Sequence, residues 1–113
     1  MSSHHTYLFY FLSGFFLLLA CSDPTPQQSQ QSLPELYEQA MTFVAQSKLD
    51  SAQILFGQIV QRDSTQYTAL LGLAEIHMRM RRIEKAIPFL QRAIRVDTTR
   101  VDAPFQLAQA YRM

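Results

Sequence analysis

The sequence predicts an all-α fold: antiparallel helical hairpins stacked as a short solenoid of about 2.4 repeats across residues 33–113. Three observations lead there. Residues 47–52 (Ser-Lys-Leu-Asp-Ser-Ala) lie over residues 81–86 (Arg-Arg-Ile-Glu-Lys-Ala) at an offset of 34, and Phe56, Ile59 and Asp63 then meet Leu90, Ala93 and Asp97. At the same offset Ala40 meets Ala74 and then Ala108. Between the matched stretches the apolar residues recur at helical spacing, as in Leu36, Ala40 and Phe43 and then Ile54, Leu55 and Ile59.

Each helix has its own signals. The first, 34–46, follows Ser32-Leu33-Pro34-Glu35, whose spacing is that of a capping box in which Ser32 accepts from the first turn and Glu35 reaches back. Ser47 with Asp50 opens the second, 49–61, at a similar spacing, and Thr99 with Asp102 opens the fifth, 101–112. The third and fourth run over 66–80 and 83–96. Pro88 lies inside the fourth, where it removes one amide donor and bends the helix near its start. The repeats divide as 33–66, 67–100 and a partial 101–113.

The composition narrows the function. A formal charge of +1 with 17% charged residues sets up no field that calls for a nucleic acid partner. Charge is unevenly placed, with two basic and five acidic residues over 21–73 and eight basic and four acidic from Ala74 onward. The basic run Arg79, Arg81, Arg82 and Lys85 reads as a solvated helix end, or as a site for an acidic partner or anionic lipid. No glycine-rich phosphate loop, His-Glu-x-x-His or Cys-x-x-Cys occurs, so no cofactor, metal or catalytic residue is expected. His77 reads as a satisfied packing residue, and Glu75 and Glu84 form no recognisable acid–base pair.

Upstream, residues 7–20 are apolar apart from Ser13 and Gly14. That is short for a bilayer span and suits the core of an export signal over residues 1–20. Leu18-Leu19-Ala20-Cys21 closes it and resembles the lipobox of bacterial lipoproteins. The resemblance implies cleavage before Cys21 and acylation of that cysteine, a membrane anchor made through an N-terminal lipid. Residues 1–6 depart from the usual pattern in having His4 and His5 but no Lys or Arg; an uncleaved signal anchor is the alternative. Ser22 follows the cysteine and Asp23 comes one place too late to act as an inner-membrane retention signal, so the resemblance points to the outer membrane. Residues 21–32 then read as a lipidated cysteine and a disordered tether of Ser, Gln, Thr and Pro.

From residue 33 the pattern resembles the tetratricopeptide repeat, a 34-residue unit of two antiparallel helices. The resemblance places the family's small and aromatic first-helix positions on Ala40 and Phe43, its Ala-x-x-x-Phe element on Ala52 and Phe56, and its turn on Asp63-Ser64. Leu70, Leu73, Ala74, Ala86, Leu90, Ala93 and Asp97-Thr98 follow in the second unit, then Leu107, Ala108 and Tyr111 in the third. Gln39, Ile59 and His77 depart from the usual leucine, alanine and aromatic residue. Small residues where helices cross allow close approach of the backbones, and Gly57 and Gly72 are expected to serve alike.

What the resemblance implies about function is a protein- or peptide-binding groove lined by the first helix of each unit. Its wall would be Pro34, Tyr37, Met41 and Val44; Thr68, Leu71, Glu75 and Met78; and Asp102, Phe105, Gln109 and Arg112. These mostly apolar, adaptable side chains suit a helix or an extended peptide. The wall lacks the Lys and Asn pattern by which some relatives hold a peptide's C-terminal carboxylate. The expected function is therefore a non-catalytic envelope lipoprotein that binds another protein, with self-association through the incomplete third repeat as a further expectation. The alternatives are a signal-anchored inner-membrane adaptor and an accessory subunit of an envelope enzyme complex.

Overall fold

The computed structural model describes residues 31–113, and the folded unit spans Ser32–Met113. The predicted signal peptide, Cys21 and residues 21–30 of the predicted tether lie outside the described residues. Five helices follow in order: α1 Leu33–Ala45, α2 Leu49–Arg62, α3 Tyr67–Arg79, α4 Ile83–Val96 and α5 Asp102–Arg112. Every expected helix is present with its ends displaced by at most one residue, and there is no strand among the described residues. The all-α hairpin architecture is the one the 34-residue period predicts.

Helix α1 starts as its sequence requires. The Glu35 amide donates to the Ser32 hydroxyl at 3.4 Å and the Ser32 amide donates to the Glu35 carboxylate at 3.1 Å, so two otherwise orphaned donors are satisfied reciprocally. The other two expected caps do not form. Ser47 is the left-handed residue (φ 59°) that ends α1, leaving Lys48 as the residue that precedes α2, without a side-chain cap. The amide of Lys48 reaches back to the Phe43 carbonyl and that of Ser47 to Val44, the paired bonds of a left-handed helix stop. Arg81 (φ 62°) and Arg82 repeat this stop one period later. Thr99 is likewise no cap, because Val101 is the residue that precedes α5; the Thr99 amide and hydroxyl both donate to the Asp97 carboxylate, as those of Thr65 do to Asp63. These hydrogen bonds, the threonine hydroxyl's first, hold both carboxyls below the ordinary aspartate range.

The core lies between the helices in a continuous strip. Leu36 and Ala40 of α1, Ala52, Phe56 and Ile59 of α2, and Ala69, Leu73 and Ile76 of α3 bury one another. Next along, Tyr67, Leu70, Ala93 and Ala103 form a second cluster, and Ala74, Ala86, Leu90 and Ala110 a third. The alanines sit where neighbouring helices come closest, which a larger side chain would prevent. Ile54 departs from expectation: it is exposed because it lies about 200° round the helix from Ala52, opposite the buried stripe. Helix α4 runs on through Pro88, which faces water.

The two glycines also part company. A Cβ on Gly72 would stand 2.8–2.9 Å from the Phe56 ring, so α2 and α3 approach as closely as only glycine permits. A Cβ on Gly57 would meet nothing within 4 Å, so that glycine serves no close approach.

His77 is buried and stacks on Phe89, with ring centroids 5.7 Å apart and planes 4° from parallel. It packs as expected but is not satisfied, since Nδ1 has no hydrogen-bond partner. Burial first, then the nearby Lys85 and Arg82 charges, lower its pKa below the ordinary histidine value. The unfolded chain therefore binds a proton more readily than the folded one. This contribution to stability is present above the unfolded value near 6.5 and is lost as pH falls through the lowered folded value. Replacing His77 with phenylalanine, the residue found one period earlier at position 43, is expected to flatten the loss of urea midpoint between pH 7.5 and 5 and to raise the midpoint at the acid end.

Candidate functional site

The first helices α1, α3 and α5 each present one side to a common surface, and the predicted wall residues divide over it unequally. Near the start of the array, Pro34, Tyr37 and Thr68 line a cleft of about 370 Å³ together with Leu33, Glu38, Ile59 and Gln66. Tyr37 is half-buried and meets Phe56 edge-on at 5.8 Å, which fixes its ring as one side of that cleft. Between α3 and α5, Glu75, Met78 and Gln109 line a second cleft of about 430 Å³, shared with Arg79, Gln106 and Met113. Met78, Gln109 and Met113 also border the adjoining hollow that contains Arg112.

The remaining wall residues lie outside these clefts. Met41 and Phe105 are exposed. Val44 is half-buried against the first core cluster, and Leu71 bridges the second and third clusters, so both are partly structural. Asp102 is committed internally: its carboxylate accepts from the Tyr67 hydroxyl at 2.5 Å and from Arg100 at 2.9 Å. Glu75 pairs with Arg79 at 2.7 Å, one turn along the same exposed helix face.

The Tyr67 hydroxyl is the joint that fastens α5. While donating to Asp102 it accepts from the Ala103 amide at 3.0 Å, and Arg100 lies over the ring 4.2 Å from its centroid. The Tyr67 bond first, and Arg100 also, lower the Asp102 pKa, whereas burial and then the Asp102 bond raise that of the phenol, which stays protonated. Asp102 thus contributes stability above its unfolded pKa that is lost as pH falls through the lowered folded value. Tyr67→Phe is expected to speed exchange of the Ala103 amide about tenfold near neutral pH, the scale of a lost hydrogen bond to a charged group. The variant should also lose the extra acid sensitivity of α5 exchange that the lowered Asp102 pKa predicts for the parent.

Sequence reasoning missed Gln106. Its Oε1 is buried beside the second cleft with no hydrogen-bond partner, leaving an acceptor that a bound chain's donor could satisfy. The signal was available in the period, because residue 106 follows Gly72 by 34 places and shares its inward setting. Among the described residues no group of His, Cys, Asp or Glu is placed to hold a metal ion, and no helix is long and apolar enough to cross a membrane. The arrangement is a set of shallow, largely apolar clefts with a few polar groups, suited to side chains of another polypeptide.

Comparison with known proteins agrees with this geometry. No curated protein matches the chain. A family model described as tetratricopeptide repeat matches residues 43–111, more than half of the chain and most of the five helices. The chain belongs to the tetratricopeptide repeat family.

Proposed function

We propose that this chain is a lipoprotein, anchored in the outer membrane through Cys21, whose repeats bind a helical or extended segment of another envelope protein. Tetratricopeptide repeats generally act as scaffolds for protein–protein interaction rather than as catalysts. The observation that carries the reading is the surface shared by α1, α3 and α5, where Tyr37 and Thr68 line one cleft and Glu75, Met78 and Gln109 the other. Leu18-Leu19-Ala20-Cys21 supports the anchor.

Two experiments test the two halves. Cys21→Ala is expected to abolish signal processing and shift the protein out of the outer-membrane fraction; processing and membrane retention unchanged from the parent would reject the lipobox. A photocrosslinker placed at Gln109, in the second cleft, is expected to trap one discrete protein partner in intact cells, whereas one at Gln58, exposed on α2, should not. Equal yields from the two positions would refute the groove.

A further inference from the structure

The second helices of the first two units enclose a hollow in the middle of the folded unit, away from both of its ends. Helix α2 contributes Gly57, Val60 and Gln61 to it, α4 contributes Phe89 and Arg92, and α3 the buried His77. The cleft measures about 430 Å³, within the range of small-molecule sites. Along α2 it runs from Gln53 to Gln61, about 12 Å at the rise of a helix. Arg92 also borders an adjoining hollow of about 440 Å³ that contains Arg95 and Ser64. Neither shares a residue with the two clefts assigned to the groove of the proposed function.

Three features mark the cleft as a site for an anion with an apolar body. The first is charge: no Asp or Glu lines either hollow, and among the described residues neither Arg92 nor Arg95 forms an ion pair. A guanidinium without a partner is a ready donor to a carboxylate or phosphate. The second is His77, which lines the cleft and is 4% exposed, with no hydrogen-bond partner for Nδ1. With its proton on that nitrogen the imidazole is a donor, so a ligand oxygen that reaches it gains a hydrogen bond the free protein lacks. The third is Gly57. A Cβ there would meet nothing within 4 Å, so this glycine weakens its helix without serving any contact, and the room it leaves belongs to the cleft. We infer that the cleft between α2 and α4 binds a small amphiphile, its carboxylate or phosphate on Arg92 within the field of Arg95, and its apolar body over Gly57, Val60 and Phe89. The chain's own leading segment matches this poorly, since residues 1–30 hold a single acid, Asp23, flanked by Ser22 and Pro24.

The test titrates octanoate into the full chain, held in phosphatidylcholine nanodiscs near neutral pH, and follows amide and methyl NMR shifts. Saturable shifts are expected at Gly57, Val60 and Phe89, and octanol, with the same tail and no charge, should bind at least tenfold more weakly. Arg92→Gln should weaken octanoate binding at least tenfold and His77→Phe by a smaller factor. Gly57→Leu fills the cleft from a position with open space around it and should abolish binding, while Lys48→Gln, which removes a charge elsewhere, should leave it unchanged. Circular dichroism checks the fold of each variant; should Gly57→Leu lose helix, Arg92→Gln decides. Nanodiscs of phosphatidylglycerol separate the sources: unchanged octanoate binding assigns the cleft to a free acid, and occupation by the lipid with the same Arg92 dependence assigns it to a membrane phosphate. Absence of saturable shifts, the result if the chain's own residues filled the cleft, would overturn the inference. So would equal affinity for octanol, binding that survives both Arg92→Gln and a folded Gly57→Leu, or a parent dimer in sedimentation that Gly57→Leu dissolves.

Discussion

Phe56→Ala is expected to abolish cooperative unfolding of the repeats. Phe56 is among the largest fully buried side chains, and α2 inserts it between α1 and α3, where it meets the Tyr37 ring and the bare backbone of Gly72. Truncating a buried phenylalanine costs about 3–5 kcal/mol. A folded unit of this size has a total stability of roughly 4–12 kcal/mol at 0.05–0.15 kcal/mol per residue. The loss therefore takes a large share of what holds the first two units together. Urea titration followed by circular dichroism should show a broad, early loss of helix in place of a sigmoid. Leu90→Ala, one period later, should behave similarly but more mildly, by about 2–5 kcal/mol. A Phe56→Ala midpoint within error of the parent's would mean that α2 does not carry the core.

The second large effect concerns the two glycines, which a sequence reader has no reason to separate. Gly72→Ala drives a methyl group into the Phe56 ring at under 3.0 Å, and that ring is fully buried. Overpacking of this kind costs about 1–3 kcal/mol. The alanine recovers only about 0.5–1 kcal/mol by stiffening the helix. Gly57→Ala makes the same helical gain with open space around the new Cβ, so it should stabilise by that amount. The two alanine variants should thus move the urea midpoint in opposite directions. Adding Phe56→Leu to Gly72→Ala should restore part of the loss, because the shorter side chain vacates the contact. Matching shifts from Gly57→Ala and Gly72→Ala would show that α2 and α3 are not in close approach.

The sequence made the repeat and its helices legible because a period and a helical apolar stripe are properties of order along the chain. The capping box of Ser32 and Glu35 was readable for the same reason. Ser47 and Thr99 share that spacing but not its outcome. Ser47 lies in the left-handed conformation that ends α1, and α5 starts after Val101, two residues beyond where Thr99 would cap it, while the Thr99 hydroxyl donates to Asp97. Such competition among local hydrogen bonds is decided by backbone geometry, which residue spacing alone does not report. Burial at Ala108 was illegible too, because its register matches Ala40 and Ala74 while the helix that buries them has no counterpart over α5 among the described residues. Of the predicted wall residues, Glu75, Met78 and Gln109 line one cleft. The sequence could not foresee that Asp102 is tied to Tyr67 or that Gln106 stands unpartnered between α3 and α5.

The most direct measurement of the central claim, a buried strip that joins α1 to α4 and reaches α5 from one side among the described residues, is amide hydrogen exchange resolved by helix. The buried strip from Leu36 to Leu90 predicts strong, concerted protection across α1 to α4, with α3 slowest because it is packed from both sides. Helix α5, covered on one side only by the described residues, should exchange markedly faster than α3, most of all beyond Ala108. Equal protection of α5 and α3 in the isolated chain, or faster exchange in α1 than in α5, would contradict it.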